Sequence, residues 1–475
     1  MPAEWKVLIL LLKQKLMSNR ISKSACRHFA VWLFCACLLV RCATNAQPSS
    51  GLPAFRASVV KIDITPSEPQ NLLGYGPRNS TGTHDPIFHK IIILDDGKTQ
   101  FILISSDICL ISPAEYDRVA QRILQEYGIS PVNVWWTVTH THSAPEVGPP
   151  GMYSIYLADR IVEIPPAYTT MFEQKLVDGI GEALQKLEPA RMGVGWGFSQ
   201  ANINRRAIDV DGKASLGLNP DGPVDRRIGL IRLDKIDGTP LALIANYAIH
   251  GTVLGPQNTL ISGDAPGVAA EYVAEKIGAP VMFINGAAGN LAPIYSVYPS
   301  PRAGHLGEFR VLLGDKILQA NDKIRSTTDK VTLTSAAITL ETPRKPGLAW
   351  PEELATYNRT ARDSSHYVRM PVRFLKIGDV AIWSAPVELF CEVSNEIRER
   401  SPFEYTFYYG YTNGWLGYLP AEEEWKYGGY EVERVSPFTP EAAGALTEAV
   451  LAYLKGKVTN EMRDPRGRKT EKVKK

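Results

Sequence analysis

The sequence predicts an α/β fold in which mixed β-sheets are flanked by helices within a single large domain. Strand-like and helix-like segments alternate along the body of the chain, with no internal repeat and no long linker. Three pairs of apolar runs are joined by short glycine-containing turns, at Asp96-Gly97, Asp237-Gly238 and Gly378. Such hairpins favour mixed or antiparallel sheets over a purely parallel barrel.

Helices are predicted between these hairpins from apolar residues at helical spacing. The clearest runs over residues 114–127, where Gly128 supplies the C-terminal cap. The others are predicted within residues 171–187, 267–278 and 439–454. Outside the first 46 residues the chain has two cysteines, Cys109 and Cys391. We interpret both as buried small hydrophobic residues, with a single disulfide as the less favoured alternative.

The composition is that of an ordinary globular protein. The chain has 475 residues, 44% of them hydrophobic, and 52 Lys+Arg against 50 Asp+Glu. This balance excludes disordered, collagen-like and small disulfide-rich classes. Residues 1–46 hold seven basic and one acidic residue, and the predicted disordered tail 463–475 holds seven and two, so residues 47–462 carry a net charge of −9. A body without basic excess argues against nucleic acid as a partner.

The first 46 residues have the pattern of a signal peptide. A basic stretch precedes the apolar run at residues 29–40, and small residues suitable for cleavage follow. Twelve apolar residues are too few for a membrane-spanning helix. We therefore expect a secreted or periplasmic protein whose translation starts at Met1 or Met17. Lipoprotein anchoring at Cys42 is less favoured because Arg41 precedes it.

Polar residues collect where apolar strands end. His140 and His142 follow one strand, His250 follows a second, and Glu388 and Tyr418 follow two more. Loops at the carboxyl ends of strands converge in α/β sheets, so these side chains are expected to form one pocket.

A zinc site is one interpretation of this set. His140, His250 and Glu388 form the two-histidine, one-carboxylate set of catalytic zinc, which lowers the pKa of its bound water to about 7. His142, two residues from His140, points the same way if the segment is extended. The alternative is a hydrogen-bonded pair of loop histidines. The histidines at positions 84, 89, 305 and 366 show no clustering and are interpreted as surface or hydrogen-bonded residues.

The glycine-rich stretch at residues 285–290, Asn-Gly-Ala-Ala-Gly-Asn, also follows a strand. It lacks the residue order of a phosphate-binding loop. We expect a tight turn whose backbone N–H groups point into the pocket and could stabilise an oxyanion. No Gly-x-Ser-x-Gly motif nominates a nucleophilic serine.

Nine segments in colinear order carry a family resemblance: KIDITP at 61–66, GYG at 74–76, THTHS at 139–143, ANINR at 201–205, NYAIHGT at 246–252, LISGDAPG at 260–267, NGAAGNLAP at 285–293, PVE at 386–388 and GYTNGWLGYLPAEEEW at 410–425. With them the chain resembles the N-terminal catalytic domain of the neutral/alkaline non-lysosomal ceramidases, zinc amidases that cut the amide of N-acylsphingosines.

The resemblance implies zinc ligands at His140, His250, Glu388 and Tyr418. It further implies that His142 is a second pocket histidine, that Arg205 lines the active site, and that Tyr430 helps to hold the substrate amide. The tyrosine ligand comes from the resemblance alone.

The chain also departs from the family pattern. Ala292 stands where the family carries a serine, so a serine nucleophile at this position is impossible. The sequence after ANINR and the surroundings of Tyr418 differ as well, and the resemblance implies that the family's C-terminal β domain is missing. These departures bear on the substrate more than on the fold.

The leading hypothesis is a secreted zinc hydrolase in which metal-bound water attacks an amide or ester carbonyl. His142 assists proton transfer and Arg205 stabilises the oxyanion. The expected partner is a lipid or another amide-containing small molecule, with peripheral membrane contact. Because of Ala292, two alternatives stay open: a non-catalytic lipid- or glycan-binding homologue, and a zinc hydrolase of a different amide or ester. A phosphatase-like metalloenzyme is disfavoured by the few carboxylates available for a second metal.

Overall fold

A computed structural model describes residues 55–156, 164–294, 296 and 305–457 of the protein. The predicted signal peptide and the predicted disordered tail lie outside these residues, so the division of the chain at residues 46 and 462 stays a prediction. Among the described residues, no helix combines the length and the apolar character that crossing a membrane requires.

The described residues form twenty β-strands and eight α-helices. The strands are β1 (Arg56–Asp63), β2 (Gly82–Thr83), β3 (Phe88–Asp95), β4 (Gln100–Ser106), β5 (Val134–Val138), β6 (Glu188–Phe198), β7 (Asn202–Ile208), β8 (Ala214–Asn219), β9 (Arg227–Lys235), β10 (Pro240–Tyr247), β11 (Leu260–Ile261), β12 (Val281–Asn285), β13 (Leu291–Pro293), β14 (Leu333–Pro343), β15 (Asn358–Thr360), β16 (His366–Ile377), β17 (Val380–Ser384), β18 (Glu388–Leu389), β19 (Tyr405–Tyr409) and β20 (Tyr418–Leu419). The α-helices are α1 (Pro113–Tyr127), α2 (Tyr153–Tyr156), α3 (Pro166–Gln185), α4 (Asp264–Ile277), α5 (Asp315–Asn321), α6 (Cys391–Arg400), α7 (Tyr430–Glu433) and α8 (Ala442–Leu454). Short 3₁₀ segments lie at Pro131–Asn133, Leu306–Glu308, Glu352–Tyr357 and Glu422–Tyr427, and a π turn at Arg310–Gly314.

The largest sheet has eight strands in the order β12-β10-β9-β6-β1-β3-β4-β5. Its two outer pairs, β10 with β12 and β4 with β5, are parallel, and the other pairs are antiparallel. The predicted hairpins β3-β4 and β9-β10 are both present. Strand β3 is buried along nearly its whole length, which explains its continuous apolar run.

A second sheet of five strands follows the order β14-β16-β17-β19, with β15 added on β16. It contains the third predicted hairpin, β16-β17, and a parallel pair, β17 with β19. Side chains of both sheets share one buried cluster, for example Ile92 and Trp135 with Ile382 and Phe407. Two further clusters bury helices against the sheets. The predicted α/β class with mixed sheets is therefore confirmed.

The predicted helices are all present. Helix α1 begins after Ser112, whose side chain accepts from the backbone N–H of Ala114, and ends at Gly128 with φ 71°. Its apolar stripe is narrower than predicted, because Leu124 is 37% exposed. Cys109 and Cys391 are buried and no disulfide joins them, as expected.

Two small sheets lie beside the large ones and bear directly on the site. The first is antiparallel, with the order β13-β7-β8, and the register of β7 against β8 shifts between Asn204 and Arg206. The second pairs β18 with β20 in parallel. Strands β13, β18 and β20 have only two or three residues each, too few for a periodic pattern, and neither small sheet is among the predicted elements.

Candidate active site

Two loops that follow strands of the eight-stranded sheet bring His140 and His250 together. Residues Thr141 and Gly251 form a parallel bridge between the loops. The N–H of Gly251 donates to the carbonyl of His140 at 3.2 Å, and the N–H of His142 donates to the carbonyl of Gly251 at 2.8 Å. His140 itself has φ 64°, so the segment is not extended there as assumed from the sequence. The two imidazole centroids lie 4.6 Å apart.

Gly251 is required at this bridge, and we expect Gly251→Ala to disturb the site. An added Cβ would lie 2.6 Å from Cα of Thr141, so the two loops would have to separate. We expect a loss of about 1–3 kcal/mol in the free energy of unfolding and a displaced His250, measured by urea unfolding and by a crystal structure of the variant. The control is Gly76→Ala, whose Cβ would meet no atom within 4 Å. Equal behaviour of the two variants would contradict the expectation.

Glu388 and Tyr418 come from the other sheet. Both follow strands of that sheet, β17 and β19, and they are register partners in the small β18-β20 pair. The N–H of Glu388 donates to the carbonyl of Gly417 at 3.0 Å, which fixes the alignment. Neighbours in a parallel register place their side chains on the same face. Sheet pairing therefore sets the carboxylate beside the phenol.

The four predicted ligand residues converge. Nε2 of His140 and Nε2 of His250 lie 3.3 and 3.2 Å from Oε2 of Glu388. The hydroxyl of Tyr418 lies 3.5 Å from Nε2 of His250. All four side chains are almost completely buried, at 4% exposure or less. The cluster predicted from strand ends is thus present in the fold.

Backbone carbonyls fix the histidine tautomers. Nδ1 of His140 donates to the carbonyl of Cys109 at 2.9 Å, and Nδ1 of His250 donates to the carbonyl of Leu291 at 2.8 Å. The proton of each neutral ring is thereby assigned to Nδ1, so the Nε2 lone pairs face Glu388. Sequence reasoning missed these two carbonyls, because backbone acceptors leave no residue signature.

The charge states suit a cation. Burial, with the guanidinium of Arg205 nearby, lowers the pKa of His250 to about 3, so this imidazole is neutral at physiological pH. Burial would raise the pKa of Glu388, but the imidazoles of His140 and His250 outweigh it and hold that pKa well below its ordinary value. The Nε2 atoms of both histidines and the carboxylate of Glu388 therefore face one another, an arrangement that a positive ion stabilises.

These residues fit a metal ion. His140, His250 and Glu388 each offer one ligand atom, and these atoms lie within 4.8 Å of one another. Cys109, His140 and His142 form a second such group around the shared histidine. Neutral imidazole nitrogens and a carboxylate oxygen match the donor set of catalytic zinc. One contact must change when a metal binds. Nη1 of Arg205 lies 2.9 Å from Nε2 of His250, and the lone pair of this nitrogen cannot bind the guanidinium and a metal ion at the same time.

Two aromatic residues hold the carboxylate in place. The indole N–H of Trp415 donates to Oε1 of Glu388 at 3.0 Å, and the hydroxyl of Tyr411 lies 3.4 Å from Oε2. The ring of Tyr411 also stacks on His140 with centroids 4.3 Å apart. Because Trp415 occupies Oε1, the other oxygen is the one that faces the histidines. Neither aromatic residue was singled out from the sequence.

His142 lies at the edge of the cluster, as predicted. Its Nε2 is 3.3 Å from Nε2 of His140, and its buried Nδ1 has no hydrogen-bond partner among the described residues. The ring packs against Gly74, where a Cβ would lie 2.4 Å away, and meets Tyr75 edge-on. The GYG motif thus makes room for His142.

Arg205 and Tyr430 also reach the site. Nη2 of Arg205 donates to the hydroxyl of Tyr418 at 2.9 Å. The rings of Tyr418 and Tyr430 meet edge-on at 6.0 Å, and burial raises the pKa of Tyr430 to about 12, so its phenol stays protonated. Tyr430 is only partly buried, which leaves it open to a ligand.

Both glycine N–H groups of the stretch at residues 285–290 are bonded within the fold, and the oxyanion role of the stretch stays a prediction. The N–H groups of Gly286, Gly289 and Leu291 donate to the backbone carbonyls of Tyr247, Leu389 and Ala288, and so are already used within the fold. The residue that follows the stretch, Leu291, contributes a hydrogen-bond acceptor to the site: its carbonyl orients His250. Ala292 follows in β13, pairs with Ile203 and is 2% exposed.

The LISGDAPG motif supports the second loop rather than the chemistry. Oδ1 of Asp264 accepts from the backbone N–H groups of Val253 and Ala265, and Oδ2 accepts from that of Leu254. These bonds fix the turn that follows His250.

The fold and the site together define an α/β domain with the donor set of a mononuclear metallohydrolase. Residues 55–290 match the family model described as neutral/alkaline non-lysosomal ceramidase, N-terminal. This chain belongs to that family, which confirms the resemblance seen in the sequence.

Known relatives agree with this assignment. The chain is 29% identical to neutral ceramidase A of Dictyostelium discoideum over 231 residues, 45% of this chain and 31% of the relative. It is 29% identical to a neutral ceramidase of Mycobacterium tuberculosis over 220 residues, 44% of this chain and 33% of the relative. The matched stretches thus span about a third of the relatives' length.

Solved structures show the same fold. The crystal structure of neutral ceramidase from Pseudomonas aeruginosa matches with a TM-score of 0.69 at 19% identity, over 86% of this chain and 75% of that one. A structure described as ceramidase complexed with C2 matches with a TM-score of 0.69 at 18% identity, over 86% and 76% of the two chains. At this identity the likeness establishes the fold alone.

Proposed function

We propose that this protein is an exported zinc hydrolase that cleaves the amide bond of an N-acylsphingosine or a related lipid amide. The observation that carries the proposal is the convergence of His140, His250 and Glu388 on one buried point, with Tyr418 beside them. Zinc bound there supplies Lewis acidity that polarises a carbonyl and makes water nucleophilic near neutral pH. Family membership favours a ceramide-like substrate. Export rests on the signal-peptide pattern of residues 1–46.

The chain's own residues have separate roles in this proposal. Arg205 directs guanidinium N–H groups at the cluster, where negative charge develops on a carbonyl oxygen during attack. The ring of His142 lies at the edge of the cluster, where it can take a proton from the attacking water and pass it to the leaving amine. The partly buried phenol of Tyr430 hydrogen-bonds the substrate amide. Water adds to the acyl carbon, the C–N bond breaks, and the amine leaves with the proton.

Ala292 favours a second candidate, in which the same site cleaves a different amide or ester or captures a lipid or glycan without cleaving it. The family's serine is replaced in a buried strand next to the carbonyl that orients His250, so the reacting group must come from elsewhere. Retention of all four ligand-matching residues supports catalysis over simple binding.

A substrate panel tests the proposal. We expect purified residues 47–475 to hold about one zinc per chain and to release fatty acid from an N-acylsphingosine. A chelator should abolish turnover and added zinc should restore it. The panel includes simple lipid amides, carboxylic esters and N-acylated sugars. Turnover of esters only would move the second candidate to first place. Zinc binding without turnover of any compound would favour the binding protein, and absence of zinc binding would refute the hydrolase.

A further inference from the structure

Glu431 lies between two buried arginines. Its Oε1 accepts from Nε of Arg205 at 3.1 Å, and its Oε2 accepts from Nη1 of Arg206 at 2.9 Å. The exposed fractions of Glu431, Arg205 and Arg206 are 2%, 7% and 1%. Buried charges of this kind must be paired to be tolerated. A single carboxylate therefore binds two neighbouring guanidinium groups.

The pairing of β7 with β8 is irregular beside this double contact. Successive side chains of a regular strand point to opposite faces, so Arg205 and Arg206 would ordinarily diverge. The register against β8 shifts between Asn204 and Arg206. Such a shift re-aims side chains locally, and here both guanidinium groups reach the same carboxylate.

The contact determines how Arg205 meets the site. Oε1 of Glu431 lies 3.1 Å from both Nε and Nη2 of Arg205, so the carboxylate holds this edge of the guanidinium. Nη1 is left to approach Nε2 of His250 at 2.9 Å, and Nη2 also donates to the hydroxyl of Tyr418 at 2.9 Å. Glu431 also places a negative charge next to the guanidinium. Without it, a buried positive charge would stand uncompensated beside the residues proposed to bind a cation.

We propose that Glu431 is a positioning residue of the active site, which orients the Arg205 guanidinium and balances its charge. Glu431 follows Tyr430 directly in α7, and the side chain of Tyr430 is not among its hydrogen-bond partners in the described residues. This inference rests on the proposed function. It assigns no direct contact between Glu431 and substrate or metal.

The chain offers a matched control in Glu424. Its Oε2 accepts from Nε of Arg206 at 2.6 Å. Among the described residues, the carboxylate of Glu424 makes no hydrogen bond to Arg205. Glu424 and Glu431 therefore share one arginine, and only Glu431 reaches the other.

The experiment compares Glu431→Gln with Glu424→Gln in the zinc-loaded protein. Glutamine keeps the volume, but it removes the charge and cannot accept from both guanidinium groups. For Glu431→Gln we expect kcat to fall about 10- to 100-fold and the zinc dissociation constant to rise by a similar factor, the usual size of effects from residues that orient a metal site. KM should stay within about threefold, because the substrate contacts remain. Glu424→Gln should change all three by less than about threefold.

A double substitution tests the route through Arg205. In an Arg205→Met background, Glu431→Gln should lower kcat by less than about twofold further, since residues acting as a unit are not additive. Equal losses in the two glutamine variants would overturn the proposal. So would a fall in kcat that accompanies partial unfolding, with the zinc affinity of the folded fraction unchanged.

A structural comparison of the two glutamine variants tests the role of Glu431 without any measurement of activity. If the parent protein turns over no amide, the proposed function fails, and crystal structures of the two variants decide the role of Glu431. Loss of the Arg205–Tyr418 contact in Glu431→Gln, but not in Glu424→Gln, would support positioning. An unmoved guanidinium in both variants would overturn it.

Discussion

Replacing His250 with asparagine is expected to abolish tight zinc binding and hydrolysis while the fold stays intact. The asparagine amide can still donate to the Leu291 carbonyl in place of Nδ1, but it has no atom where Nε2 faces Glu388. Removal of a ligand should weaken zinc by more than about 100-fold, the upper end for residues that only support a ligand. Zinc per chain by elemental analysis and turnover of the best amide substrate measure the effect.

The matched control is His366→Asn. The exposed His366 also bonds through Nδ1, to the hydroxyl of Thr360 at 3.0 Å, but lies outside the cluster. It should keep wild-type zinc content and turnover. If His250→Asn kept both as well, the assignment of this histidine as a ligand would be wrong.

The second large effect is expected on stability, from Lys90→Met. Lys90 is 2% exposed, and its Nζ lies 3.2 Å from Asp107 and 3.3 Å from Glu271. Removing one partner of a buried ion pair typically costs about 3–5 kcal/mol, because the remaining charge stays buried and unpaired. Asp107 starts the loop that leads to Cys109, whose carbonyl orients His140. We therefore expect weaker zinc binding along with the lower free energy of unfolding, which urea titration measures.

Lys61→Met is the control for this variant. Lys61 bonds the same Glu271, but its side chain is 29% exposed, so the loss should stay below about 1 kcal/mol. Adding Asp107→Asn to Lys90→Met should recover part of the stability by removing the unpaired charge. A loss for Lys90→Met no larger than that for Lys61→Met would contradict this account.

Three of the candidate ligands could be predicted from the sequence without any relative. His140, His250 and Glu388 each stand directly after an apolar strand, and the carboxyl ends of neighbouring strands meet. The signal is physical, because strand direction alone fixes where these residues lie. The hairpins could also be predicted from the sequence, because a short glycine-containing turn between two apolar runs is typical of a β-hairpin.

Other site residues have a weaker local signal or none. Tyr418 also follows a strand, but through an irregular loop in which Tyr411 and Asn413 adopt positive φ, so only the family resemblance marked it as a ligand. Arg205 lies beside an irregular register of β7 against β8, which a sequence pattern does not reveal. Glu431 follows a run of surface-like glutamates. A pair of adjacent arginines that must be buried is the one clue that could have suggested a buried carboxylate partner.

The expectation at residues 285–290 depends on tertiary contacts that a sequence does not reveal. A glycine-rich turn after a strand supplies free N–H groups only if the fold leaves them unpaired, and hydrogen-bond partners are a tertiary property. Here neighbouring segments had already taken those of Gly286 and Gly289.

The origin of the ligands bears on how the protein folds. His140 and His250 come from loops of one sheet, and Glu388 and Tyr418 from loops of the other, so the full donor set does not exist until the two sheets have docked. Contacts so distant in sequence form late and slowly. Metal uptake during refolding would then mark completion of the tertiary structure, and a cation could not template the early stages of chain collapse.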